Sequence, residues 1–415
     1  MTGDPALALK LDRVALLTQQ VSHYHAARYR AARTKFDDLR IYSWVNSADF
    51  EEFLSRDPES SDVIRPFADH DAYIRAVRSG ALWERVHREF DRYLPDVVAV
   101  AGWSFPESFA AIAWARQAGA RVVLMSASQP HDAARTGWRE AIKRRVVSAC
   151  DAALVAAGPH GDYASHLGIP YDRVFFGYDA VDNDYFTARA EHARRNASEL
   201  RAVHRLPQRY LLASGRFIEK KNFPRLIEAF ARALAADDRG HHLVILGDGP
   251  ERPMIERAVE RHGLKDRVHL PGFRSYEVLP HFYGLAEGFA HVALAEQWGL
   301  VINEAAASSL PLVVSRPCGA ATTLVRDDEN GFLVEPHDVA AMTRALGAMM
   351  TLTDDGRASM GAESRRIVAD WSPGRYASGL RSACEAAVDR PPRGLSLLNK
   401  ALFRTLAHMQ INTVN

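Results

Sequence analysis

Glu296 and Glu304, with seven residues between them, bracket a turn in the stretch Ala293-Leu-Ala-Glu296-Gln-Trp-Gly-Leu-Val-Ile-Asn-Glu304. The apolar run Phe289 to Ala295 reads as a strand, and the segment after Gly299 as a helix ending before Leu310-Pro311. The spacing puts Glu296 in the turn and Glu304 just inside the helix, both towards whatever the helix N-terminus binds. Backbone N–H groups of Trp298, Gly299 and Leu300 at that terminus favour an anion. A carboxylate repels an anion, so the glutamates are expected to serve another part of the same ligand. An ionised carboxylate only accepts hydrogen bonds, which suits sugar hydroxyls. An anion together with hydroxyls suggests a sugar nucleotide.

Other turns carry compatible groups. Gly215-Arg216-Phe-Ile-Glu-Lys220-Lys221-Asn222 follows a strand and opens a helix. Arg216, Lys221 and the helix dipole suit a diphosphate; a solvated basic turn is the plain alternative. Gly247-Asp-Gly249-Pro250 and Gly272-Phe273-Arg274 also follow strands, and each alone is a weak signal. All these turns fall at C-terminal strand ends, where open α/β sheets bind ligands.

Strands alternate with helices along the chain, as a parallel sheet covered on both faces requires. Strands are expected at Arg13 to Thr18, Asp96 to Ala101, Arg121 to Met125, Ala152 to Ala156 and Val174 to Phe176. An amphipathic helix is expected over Ser108 to Gln117. The charged stretch Asn183 to Gln208 reads as a connection containing a helix. The rhythm then restarts with strands at Tyr210 to Ala213, His242 to Leu246, Arg267 to Leu270, Leu312 to Ser315 and Gly331 to Val334. Between them, helices are expected at Phe223 to Ala236, with Asn222 as N-cap, and at Pro250 to His262. An apolar helical stretch, Leu395 to Leu406, follows Pro391-Pro392.

The composition is that of an ordinary globular chain: 415 residues, 47% hydrophobic, 25% charged, formal net charge +1. That balance gives no argument for nucleic acid as a partner. No apolar run reaches a membrane span, and the opening residues predict no secretory signal. Cys150, Cys318 and Cys384 are too scattered for a disulfide framework or a zinc site. A cytoplasmic location is the expectation, with membrane association through the basic stretch 135–146. There Arg135, Arg139, Lys143, Arg144 and Arg145 mix with Trp138, Ile142 and Val146. A solvated helix face is the alternative reading of that stretch.

Over about residues 209 to 340 the chain resembles the retaining GT-B glycosyltransferases of glycosyltransferase family 4. The resemblance rests on Gly215-Arg216 with Lys221, Gly247-Asp-Gly-Pro250, Gly272-Phe273, the Glu296/Glu304 spacing, Leu310-Pro311-Leu-Val-Val-Ser315 and Asn330-Gly331-Phe-Leu-Val334. It implies an α/β fold of two Rossmann-like domains facing a cleft, with the C-terminal helix packing back on the first domain. The expected boundaries are 1–185 for an acceptor domain, 186–208 for a linker, 209–375 for a nucleotide-sugar domain and 376–415 for a helical tail. It implies a hexosyltransferase that moves a sugar from a nucleotide donor, UDP- or GDP-linked, to an acceptor hydroxyl with retention. No cofactor and no metal are called for, because Arg216 and Lys221 would stabilise the leaving diphosphate. Glu296 matches the residue at the transferred sugar, with Trp298 and the Gly299 and Leu300 amides beside it. Glu304 matches the residue on the ribose. Gly215, Gly247, Gly249, Phe273 and Arg274 match the surroundings of the nucleotide.

The chain also departs from the family. Gln297-Trp298 stands where Gly-Phe is frequent, and the loop Thr18-Gln-Gln-Val-Ser-His-Tyr-His25 has no glycine. His23, Tyr24 and His25 are candidates for the acceptor side, and Arg28 lies in the same segment. His131 is the candidate replacement for a family histidine after the strand Arg121 to Met125. The acceptor is expected to be a cell-envelope glycan or glycolipid. A small-molecule natural-product glycosyltransferase, or a catalytically idle partner that binds nucleotide sugars, is the alternative. Non-hydrolysing epimerases share the two-domain shape but lack the Arg–Lys set with spaced glutamates. A dehydrogenase lacks support, since no Gly-x-Gly-x-x-Gly follows the first strand.

Overall fold

The computed structural model describes residues 11–45, 62–130, 132 and 136–409. The chain forms two compact units. One runs to Asp179 and is rejoined by the chain from Pro373; the other is Ala180–Ser372. Each is built on a six-stranded parallel sheet. In the first, β1 (Arg13–Thr18), β2 (Asp38–Ser43), β3 (Val97–Ala101), β4 (Arg121–Ser126), β5 (Ala152–Val155) and β6 (Val174–Phe176) lie in the order β2-β1-β3-β4-β5-β6. In the second, β7 (Tyr210–Ser214), β8 (His242–Leu246), β9 (Val268–Gly272), β10 (Gly288–His291), β11 (Leu312–Ser315) and β12 (Gly331–Val334) lie in the order β12-β11-β10-β7-β8-β9. The central strands are apolar throughout because both faces are covered: Val97 to Val100 and Leu211 to Ala213 are fully buried.

Three segments differ from what the sequence leads one to expect. Asp38-Leu-Arg-Ile-Tyr-Ser43 is an edge strand that polar residues had hidden. The strand expected from Phe289 to Ala295 ends at His291. Beyond it the backbone bonds to neighbouring loops instead: Leu294 N donates to Lys220 O at 2.7 Å, and Gly319 N to Glu296 O at 3.0 Å. The stretch after Asn183 forms two helices, Asn183–Arg195 and Ala197–His204.

The C-terminal segment returns to the first unit. Helix Pro373–Val388 packs on helix His23–Arg33, and helix Leu397–His408 packs on helix Pro106–Ala118 with Phe109 and Phe403 in contact. Arg28 ties the first of these contacts together. It is 3% exposed, donates to Tyr178 O at 2.7 Å, lies 3.7 Å from Asp179 and sits over the rings of Tyr178 and Tyr376. A buried guanidinium needs this many partners.

Helix Pro106–Ala118 carries a second buried charge-bearing group. Glu107, 1% exposed, accepts the Tyr73 hydroxyl at 2.7 Å. Burial pushes its carboxyl up to about 7, against the opposing hydrogen bonds from Tyr73 and Gln19. Between the ordinary 4.5 and that value, the folded protein holds a proton that the unfolded chain has released. Stability is therefore fully present below the ordinary value and falls as pH rises through the folded one. The drop is on the order of 3 kcal/mol at about 1.4 kcal/mol per unit. Urea unfolding at pH 5 and pH 8 tests this: Glu107→Gln should flatten the difference between the two pH values relative to the unmodified chain.

Candidate active site

In the second sheet the order of strands reverses between β7 and β10, the place where open α/β sheets leave a crevice at their carboxyl ends. The loops leaving these two strands carry Arg216 and Lys221 on one side and Glu296 on the other. Both loops are fixed by their own backbones. Asn222 is in the left-handed region (φ 62°) and fully engaged: its amide donates to Val292 O at 3.0 Å and Pro336 O at 2.8 Å. It occupies the N-cap position of helix Phe223–Ala236 as expected, yet its side chain clamps neighbouring loops rather than capping.

The glycines of the neighbouring turns have a steric reason. A Cβ on Gly247 would lie 1.9 Å from Gly215 O, and one on Gly249 2.6 Å from Phe217 O. Phe217 N donates to Asp248 O at 2.8 Å and Glu251 N to Phe217 O at 2.9 Å. The β7 and β8 turns thus interlock through glycine, and the Arg216–Lys221 loop is held from behind. Arg216 itself is exposed, and no described residue pairs with it.

Lys221 and Glu296 are brought together as an ion pair, Nζ on Oε2, with side chains only 11% and 14% exposed. His291 lies beneath them, 3% exposed, with Nε2 at 3.5 Å from the same Glu296 oxygen. Burial alone would raise the Glu296 carboxyl; His291 and Lys221 outweigh it and hold the group well below the usual carboxylate range. Burial, and then Lys221, lower the His291 imidazole, so the ring is neutral near pH 7. Cys318 is adjacent, its Sγ 3.3 Å from Ser315 Oγ, and burial pushes its thiol up to about 12. It is no nucleophile at neutral pH.

Glu304 sits elsewhere. It is the fifth residue of helix Leu300–Ala307, has no exposure, and accepts the Tyr283 hydroxyl at 2.6 Å. Trp298 is 2% exposed; its indole N–H donates to Asn303 at 2.8 Å and its ring stacks on Trp371. Gly299 takes a positive φ of 98° before the helix begins at Leu300. Arg274 donates to Phe273 O at 2.9 Å and lies over Phe282.

In the first unit, His25 is absorbed into the start of its helix. Its Nδ1 accepts from Ser22 N at 3.2 Å and lies 2.8 Å from Ser22 Oγ. Burial and Arg28 lower its pKa well below the ordinary histidine value. His23 and Tyr24 are partly exposed. His131 and Arg135 lie outside the described residues. The rest of the basic stretch forms helix Gly137–Val147, with Trp138 63% exposed beneath Arg139. His291, Tyr283 and the clamping role of Asn222 escaped the sequence reading. A lone histidine at the end of an apolar strand carries no signal of its neighbours.

Several known proteins are similar to this chain. Alpha-D-kanosaminyltransferase of Streptomyces kanamyceticus is 34% identical over 169 residues, 40% of this chain and 43% of that protein. D-inositol 3-phosphate glycosyltransferase of Xylanimonas cellulosilytica is 33% identical over 256 residues, 58% of this chain and 59% of its own. The chain thus spans about half the length of these curated relatives. Among solved structures, sucrose-phosphate synthase from Thermosynechococcus elongatus superimposes with a TM-score of 0.68 at 17% identity, over 89% of this chain and 97% of that one. Anabaena HepE in complex with UDP gives 0.69 at 15% identity, over 89% and 98%. These likenesses show the GT-B fold. Residues 196–366 match the family model described as glycosyl transferases group 1.

Proposed function

We propose that the protein is a retaining glycosyltransferase that moves a hexose-type sugar from a UDP- or GDP-linked donor to an acceptor hydroxyl without a metal. The observation that carries this reading is the buried Lys221–Glu296 pair at the strand-order reversal, with exposed Arg216 on the same loop as Lys221. Two cations beside a crevice suit a departing diphosphate, whose negative charge grows in the transition state. His291 and Lys221 hold the Glu296 carboxyl low, which suits it as an acceptor for sugar hydroxyls and not as an acid. The departing phosphate oxygen takes the acceptor proton on the face where the new bond forms, and no enzyme nucleophile is needed. The amides of Gly299 and Leu300 stand beside the sugar, and Gly215, Gly247, Gly249, Phe273 and Arg274 around the nucleotide.

Incubation with UDP-, GDP- and ADP-sugars, with and without acceptors, tests the reading through release of nucleoside diphosphate. Binding without any turnover would favour an idle partner protein. Arg216→Ala and Lys221→Ala should each cut turnover on the order of 10²–10³-fold, the cost of losing one preorganised donor to a developing oxyanion. Losses under about threefold in both would sink the diphosphate assignment.

Glu304 is assigned to the ribose hydroxyls, which requires it to share its carboxylate with Tyr283. Calorimetry on nucleoside diphosphate should register about a tenfold or greater loss of affinity for Glu304→Ala, in line with a hydrogen bond to a charged group. Tyr283→Phe, which keeps the acceptor, should bind nearly as well as the unmodified chain. Equal losses in both variants would make the pair a packing contact only.

The acceptor is proposed to be a cell-envelope glycan or glycolipid. A relative from Mycobacterium tuberculosis, 28% identical over 272 residues, is a GDP-mannose-dependent alpha-(1-6)-phosphatidylinositol monomannoside mannosyltransferase. The exposed Trp138, with Arg139 over its ring and Arg144 and Arg145 exposed on the same helix, suits contact with an anionic bilayer surface. No helix among the described residues is long and apolar enough to cross a membrane. Sedimentation with anionic phospholipid vesicles should be salt-sensitive and should fall severalfold in Trp138→Ser. Equal recovery with purely zwitterionic vesicles would remove the electrostatic part of this reading.

A further inference from the structure

Lys221 has two demands on its charge. In the structure it neutralises Glu296; in the reaction proposed above it faces a diphosphate. It cannot serve both at full strength. A carboxylate with 14% of its side chain exposed is left as an uncompensated buried charge when its cation turns away. That state is strongly unfavourable unless another group takes the cation's place.

His291 stands in that position. Its Nε2 lies 3.5 Å from Oε2 of Glu296, the oxygen that Lys221 contacts. Among the described residues Nε2 has no hydrogen-bond partner, although the side chain is 3% exposed. Buried ring nitrogens are ordinarily satisfied; this one acts on the Glu296 oxygen from 3.5 Å and is placed to close on it. The ring is parallel to Phe289 two residues back, with centroids 6.4 Å apart, which fixes its plane. The charged and titratable groups facing it are Lys221 and Lys220 on the β7 loop and Glu296 on its own; Cys318 stands by Glu296. Burial and the two lysines keep the imidazole neutral, and Glu296 alone acts in the opposite sense.

We propose that His291 is a positioning residue for Glu296. When Lys221 turns to the donor diphosphate, His291 Nε2–H becomes the hydrogen-bond donor to the carboxylate and keeps it in place for the sugar. This rests on the nucleotide-sugar reading, and it assigns a role to a strand residue that the motif spacing does not include. No covalent bond is made or broken by His291; its hydrogen stays on Nε2 throughout.

Two measurements separate this inference from the reading beneath it. Lys221→Met imitates the withdrawn lysine and needs no turnover. By nitrogen-15 NMR of the labelled histidines, the His291 titration should move up by about one unit or more, as it must when a repelling cation leaves and a carboxylate remains. The shift should vanish in the double variant Lys221→Met, Glu296→Gln. Unchanged His291 resonances would overturn the proposal. The second measurement is kinetic. His291→Leu should lower kcat about 10–100-fold, the loss of one hydrogen bond to a charged group, with nucleoside diphosphate affinity held within about twofold. His291→Gln, which restores an N–H donor at that depth, should recover most of the rate. A folded His291→Leu with unaltered kcat also overturns it. If the NMR shift appears while the unmodified chain binds no nucleotide sugar, the His291–Glu296 contact is upheld and the donor reading fails.

Discussion

A carboxylate shut away from water stays ionised only where fixed cations or donors surround it. Glu296 sets that condition for the second unit. Its charge is met by Lys221 from the loop after β7 and by His291 at the end of β10, the two strands that flank the reversal of strand order. The requirement therefore reaches into both loops. Lys221 must leave its strand end at a fixed angle, which the left-handed Asn222 and its bonds to Val292 O and Pro336 O provide. The Glu296 backbone must leave β10 early, which the bonds to Lys220 O and from Gly319 N provide. Behind these lie Gly247 and Gly249, where any side chain would strike the carbonyls of the Lys221 loop. The loops around this pair thus also hold an irregular strand end, a left-handed asparagine and two glycines that sterics require.

Much of the fold was legible in the sequence because the strands of a doubly covered parallel sheet are unbroken apolar runs. β1, β6, β8, β11 and β12 fall where the runs predict. β2 escaped because it is no unbroken apolar run: Asp38, Arg40 and Ser43 interrupt Leu39, Ile41 and Tyr42, and its alternation is too short to stand out. β10 was read too long because apolar residues continue past His291 while their hydrogen bonds turn to loops, and periodicity reports burial and not bonding partners.

The site was legible to the same depth. The basic turn and the spaced glutamates stand out as types and spacings, but the sequence does not say which acid meets which base. Lys221 and Glu296 are 75 positions apart. Glu304 was expected beside Glu296 at the helix start; it lies in the second turn and meets Tyr283 from another helix. Trp298 was expected at the sugar, and its indole is taken up by Asn303 and Trp371. A tryptophan in a turn looks the same in sequence whether it faces a ligand or the core.

The glycine-free loop after β1 has a structural account as well. A glycine-rich loop leaves its backbone groups open to a ligand. Here many are occupied: Trp44 N donates to Thr18 O at 3.2 Å, Val45 N to Gln19 O at 2.8 Å, and Ser43 Oγ to Gln19 O at 3.2 Å. Thr18 Oγ1 donates to Gln20 O at 3.3 Å, and Ser22 with His25 closes the start of the following helix. Further along that helix Arg28 is committed to Tyr178 and Asp179. The end of β2 and the start of the helix therefore do for this loop what a ligand would do for a glycine-rich one. Its shape is set before anything binds. His23 and Tyr24 stay partly exposed beside this loop, whose conformation its own hydrogen bonds already fix.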